Sequence, residues 1–188
     1  MRLATPAYAA ALALALSACS STTDSYAVTP PPVTRTIPIS YGSVELRKVS
    51  LPAYAAADEI TRQQPDGTLV SDSKLLWADN PERAVSLELS RNLTRMTGRR
   101  IASEPWPFDS FPDARLEVRF ESLLAGADGM FRSAGQFFVA PDGGGRERSG
   151  LFDLAVPFDP AGGPQAIARA RGQIILDLAE YIARNGLS

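Results

Sequence analysis

No histidine occurs anywhere in the 188 residues, and cysteine occurs once. The first absence removes both the commonest general base near neutral pH and the commonest metal ligand. Serine and cysteine nucleophiles that depend on histidine are excluded, as is any histidine-ligated zinc or iron site. Excess positive charge is also missing: the net charge is −2, which argues against a nucleic-acid surface and its basic stripe. No apolar run approaches the roughly 20 residues that cross a bilayer. Carboxylate-pair chemistry remains, with Asp153 and Asp159 near the end of one expected strand, but acids at turns are usually caps or solvated charges. No catalytic, cofactor-binding or metal-binding residue is expected, and an enzyme is the minority reading.

What is present begins at the N-terminus. Arg2 stands beside the free amino group, an apolar run follows from Tyr8 to Leu16, and Ser17-Ala18-Cys19 closes it. A basic start, a short apolar stretch and a small-residue cleavage site make residues 1–18 a secretory signal peptide. Leu16-Ser17-Ala18-Cys19 resembles a lipobox, in which the thiol takes a diacylglyceryl group before cleavage on its N-terminal side. Acylation of Cys19 would also remove an unpaired thiol from an oxidising compartment. Ser20 follows the cysteine, and by resemblance to lipoprotein sorting rules this favours the outer membrane over the inner one.

Residues 19–39 are rich in Ser, Thr and Pro, including Thr29-Pro30-Pro31-Pro32, and show little apolar periodicity. Such a stretch favours extended, polyproline-like backbone, so a flexible tether is expected, reaching about 50–60 Å at roughly 3.1 Å per residue. An arm packed on the domain, with Ile37 and Ile39 opening a strand, is the competing reading. The globular part is expected over residues 40–188. Ser43–Val49 suits a strand. Glu59–Gln63 and Thr68–Ser71 flank a Pro65-Asp66-Gly67 turn as a hairpin, and Ser73–Ala78 forms a further short strand.

The spacing then predicts a helix from Asn80. Asn80 is a good N-cap, Pro81 fits the first helical position, and Val85, Leu89, Leu93 and Met96 draw one apolar stripe up to Gly98. Three prolines in Glu104–Pro112 forbid regular structure. Arg115–Glu121 alternates strictly, Met130–Ala140 and Arg148–Phe158 follow across glycine-rich turns, and these three read as an antiparallel meander. Its apolar face requires cover, which a C-terminal helix from Gly163-Pro164 to Gly186 supplies. The fold class expected is α/β: a single-domain sandwich with a mixed, largely antiparallel sheet of about five strands under two main helices.

Val49-Ser-Leu-Pro-Ala-Tyr54, Leu76-Trp-Ala78, Pro81-Glu-Arg-Ala-Val85 with Leu89 and Asn92-Leu93, and Pro105-Trp106-Pro107 stand in one order behind the lipobox. That ordered set resembles the ABC-transport auxiliary lipoproteins, and within them the paraquat-inducible protein C family. The resemblance covers residue 41 to the end. It implies a periplasm-facing accessory subunit, without enzymatic activity, that docks on a mammalian-cell-entry (MCE) type protein carrying lipids between the two membranes. It makes a homo-oligomer plausible. The alternative is a carrier module that holds lipid itself. Trp106, Phe108 and Phe111 in the proline-rich loop are candidate aromatic anchors for the partner, or else a lid on the core. Arg95 and Arg99, with Arg91 and Arg100, are candidates for an acidic partner or lipid headgroups, or else a solvated helix end matched to its dipole.

Overall fold

The computed structural model describes residues 22–188, so the leader and Cys19 lie outside the described residues. Eight strands form one sheet: β1 (Asp24–Tyr26), β2 (Ser43–Leu46), β3 (Glu59–Gln63), β4 (Leu69–Trp77), β5 (Arg100–Ser103), β6 (Ala114–Ala125), β7 (Met130–Pro141) and β8 (Arg148–Pro157). Among the described residues three α-helices accompany it: a single turn α1 (Ala53–Ala56), α2 (Pro81–Thr97) and α3 (Gly163–Ile182). The α/β class stands, while the sheet is larger than the five strands expected. The strands not anticipated are β1 and β5, while β3 is the expected Glu59–Gln63 and the two segments expected at Thr68–Ser71 and Ser73–Ala78 are one strand, β4. β1 and β5 are four residues or fewer, too short to establish a period of two in the sequence.

The long meander β6–β7–β8 is antiparallel throughout. The other edge of β6 is shared. β2 runs parallel to its first residues, Ser50 bridges to Arg119 midway, and β3 meets Ala125 at its end. β5 then lies outside β2, and β4 and β1 lie outside β3. A bulge between Phe120 and Ser122 shifts the inward set from Leu116, Val118 and Phe120 to Leu123 and Ala125. Tyr54 sits at this irregularity: its hydroxyl accepts from the Leu123 backbone N–H at 3.3 Å, while its carbonyl accepts from the Thr61 hydroxyl. The Leu-Pro-Ala-Tyr segment therefore makes a single helical turn that delivers a hydroxyl to the bulged strand.

Helix α2 has the predicted ends. The Asn80 side chain accepts from the Arg83 N–H, Pro81 begins the helix, and Gly98 closes it at φ 66°. Val85, Leu89, Leu93 and Met96 are buried, as are Ile174, Ile175, Leu178 and Ile182 of α3. The two helices pack on each other and over one face of the sheet. A short π-helical turn (Ala183–Leu187) ends α3, and Gly186 lies so close to Phe137 that an added Cβ would stand 2.7 Å from its ring.

The largest departure from expectation is the tether. From residue 22 onward it is laid against the domain. β1 pairs with the edge of β4, Ile37 and Ile39 are buried, and Ile37 N–H donates to the Met96 carbonyl at 2.9 Å. Between these points Val28, Thr29 and Pro31 rest on Gly172 of α3. The polyproline-like segment thus fills the groove between α2 and α3, running from the start of α2 to its end. Proline supplies apolar contact and loses little entropy on ordering, which is why a composition typical of a tether packs here.

Candidate partner-docking surface

The loop from Glu104 to Asp113 is held at both ends. Glu104 donates its N–H to the Leu46 carbonyl at 2.8 Å and accepts from Lys48 N–H through its carboxylate at 2.9 Å. At the far end, the Asp113 carboxylate accepts from the N–H groups of Gly42 and Ser43, and its own N–H donates to the Ser43 hydroxyl. Inside the loop the Trp106 indole N–H donates to the Ser110 carbonyl at 2.6 Å, and Phe108 meets the Trp106 ring edge-on at 4.9 Å. The aromatics therefore stack on one another. Trp106 is half-buried, Phe108 is 42% exposed and Phe111 is 79% exposed. Phe111 projects freely, and Phe108 is only partly covered.

Beside this ledge runs a groove of about 700 Å³. Pro105 and Trp106 form one wall, and Ser86 and Leu87 of α2 form the other, with Lys48 and Arg83 at its margin. Leu87 is 43% exposed and is the apolar member of the exposed face of α2. Both cations of the lining are engaged: Lys48 with Glu82 at 2.6 Å and Arg83 with Asp79. Apolar Leu87, Pro105 and Trp106 share the lining with charged Glu45, Lys48, Arg83 and Glu104, and protein–protein contacts combine apolar and polar groups in this way.

The structure separates the predicted candidates into two groups. Trp106, Phe108 and Phe111 are brought together. Arg95 and Arg99 lie at the C-terminal end of α2, and Arg95 is about 18 Å along the axis from Arg83. Arg100 alone joins the groups, with its guanidinium 5.5 Å from the centre of the Phe108 ring. The exposed positions of α2 are Arg83, Leu87, Arg91 and Arg95, spaced four apart in a single stripe. Among the described residues Arg91, Arg95, Arg99 and Arg100 have no carboxylate within ion-pair distance, whereas Arg83 does.

One cluster was not anticipated. Arg171 and Glu88 form a buried ion pair between α3 and α2 at 3.1 Å, and the Arg171 guanidinium lies 4.4 Å over the Trp77 ring. Glu88 Oε2, Arg171 Nε and Asn92 Nδ2 are buried without a protein partner. Burial raises the Glu88 pKa, partly offset by the adjacent Arg171; burial likewise lowers that of Arg171, offset by Glu88. Glu88 and Arg171 each fall beside the apolar stripes of their helices, so only the pairing of α2 with α3 reveals them.

The model of the ABC-type transport auxiliary lipoprotein component matches residues 26–183. The chain belongs to that family. This auxiliary lipoprotein is thus a membrane-anchored protein of the cell envelope that serves ABC-type transport. No curated protein matches it. Among solved structures, one described as an uncharacterized protein has a TM-score of 0.67 at 20% identity, covering 86% of this chain and 98% of its own. Protein XCC0632 from Xanthomonas campestris gives a TM-score of 0.68 at 16% identity, with 87% and 96% covered. These likenesses establish the fold. A PelC dodecamer from Paraburkholderia phytofirmans reaches a TM-score of only 0.45 at 10% identity, covering 86% of this chain and 96% of its own.

Proposed function

We propose that this auxiliary lipoprotein is anchored through acylated Cys19 in the outer membrane, faces the periplasm, and acts there without enzymatic activity. Its partner is an MCE-type periplasm-spanning protein of a lipid-transporting ABC system, and the role of the complex is to sustain envelope integrity. The observation that carries the reading is the aromatic ledge. Half-buried Trp106 and exposed Phe108 and Phe111 stand in a loop whose ends are fixed by five hydrogen bonds to β2 and its flanks, with a sixth from the Trp106 indole inside the loop, so little ordering cost attends docking. The lipobox and Ser20 support the anchor and its membrane.

The test is a photo-crosslinking amino acid at Phe111 in whole envelopes, with and without Trp106→Ala. A crosslink to an MCE-type protein is expected, and Trp106→Ala, leaving the fold intact, should weaken capture roughly 30-fold, as for an interface anchor. Unfolding of Trp106→Ala would show the indole to be part of the core and would sink the anchor role. Stoichiometric lipid crosslinked in place of a protein would instead favour the carrier reading.

A further inference from the structure

The way the arm is placed fixes which side of the domain an anchor would bring to the bilayer. Five residues lead from Cys19 to Asp24, and five residues span at most about 18 Å. Asp24 is already held on the edge of β4, paired with Leu75. The arm then continues along the groove between α2 and α3, and Tyr26 and Val28 share a surface hollow with Leu87 and Arg91. The α2 stripe therefore begins beside the segment that the anchor holds closest to the membrane.

The charge on this side is opposite to that of the rest of the molecule. Residues 22–38, 81–99 and 163–187, which make the arm and helix layer, contain eight arginines and five carboxylates. The remaining described residues contain ten cations and sixteen carboxylates. Arg91, Arg95 and Arg99 stand exposed without ion-pair partners among the described residues. Guanidinium groups recognise phosphate in a forked, two-bond geometry, and charges within about 10 Å of a surface escape much of the screening at 0.1 M salt.

We propose that the helix layer lies on the membrane, with Arg91, Arg95 and Arg99 against anionic phospholipid headgroups, and that the outer face of the sheet is turned to the periplasm. This assigns Arg95 and Arg99 to lipid and leaves protein docking to the aromatic ledge at the flank. The inference rests on the lipid anchor proposed above.

The experiment uses the full-length acylated protein in phosphatidylcholine vesicles with or without phosphatidylglycerol. Acylation occupies the sole native thiol, so a fluorophore on Thr34→Cys, in the arm beside Met96, is unique. Leu151→Cys, 71% exposed on the outer face of β8, is the reference. A quencher attached to lipid headgroups should act on Thr34→Cys and spare Leu151→Cys when phosphatidylglycerol is present. Replacing Arg91, Arg95 and Arg99 with Gln should shift the balance toward a stood-off domain by about a hundred-fold, near five-fold per arginine. Equal quenching at both sites, or contact indifferent to phosphatidylglycerol and to the three arginines, would overturn the assignment. Mass spectrometry of the N-terminal peptide separates the two failures: an unacylated Cys19 defeats the anchor itself, whereas an acylated chain with free Thr34→Cys defeats only the orientation.

Discussion

Two ion pairs with opposite environments give the clearest tests at the scale of single residues. Arg171 and Glu88 are buried between the helices, and losing one partner leaves the other charged and unpaired. Arg171→Met should therefore cost about 3–5 kcal/mol in chemical denaturation, while the double variant with Glu88→Leu should lie near the native stability. Glu88 also predicts a pH dependence. Its folded pKa is raised by burial above the ordinary 4.5, so the folded state binds the proton more tightly. The contribution of this group to stability is highest below 4.5 and falls as pH rises through the folded value. Glu88→Gln lacks that loss, so its stability relative to the native protein should improve between pH 4.5 and 7; a change in the opposite direction would mean that Arg171 outweighs burial. Asp128 is the exposed counterpart. Two bonds from Arg132, at 2.9 and 2.5 Å, lead the causes that lower its pKa to about 2. Its contribution is present above 3.8 and lost as pH falls through about 2, which carboxyl chemical shifts followed by NMR would show directly.

At the scale of elements, the arm and the loop account for what the sequence did and did not disclose. Helix α2 was legible because Asn80, Pro81, the apolar stripe and Gly98 all agree locally. The three long strands were legible through strict alternation, and the bulge after Phe120 became visible only in the pairing with β7. The arm was not legible, because Ser/Thr/Pro composition describes backbone preference and says nothing of a receiving groove. Gly172 is that receiver. A Cβ there would stand 3.0 Å from Val28 Cγ1 and 3.4 Å from the Thr29 carbonyl oxygen. Gly172→Val should lift the arm at a cost of about 1–3 kcal/mol, seen as faster hydrogen exchange and new protease cleavage over residues 24–33. Unchanged protection would mean that the groove widens without releasing the arm. The candidate site was half legible. The aromatic triplet stands out through its proline-rich setting, but Leu87, off the Val85–Leu89–Leu93–Met96 stripe, shows no partner in the sequence and joins the site only because the loop is placed opposite it.

For the whole molecule, the parts divide by face. The helix layer, covered by the arm, is basic in a chain whose net charge is −2, the outer sheet face mixes charged side chains such as Arg119 and Asp153 with Phe138 and Leu151, and the aromatic ledge stands beside the start of α2. A packed arm replaces the expected long stand-off, so under the proposed Cys19 anchor the domain would stand close to the membrane, where high local concentration would lessen the affinity that docking must supply. The most direct test of the central claim is affinity isolation of the full-length lipidated protein from solubilised envelopes, with co-isolated proteins and lipids both identified. The account predicts an MCE-type protein recovered in stoichiometric amount without matching lipid, and its loss on Trp106→Ala. Bound lipid with no such partner would contradict it and make this domain a carrier.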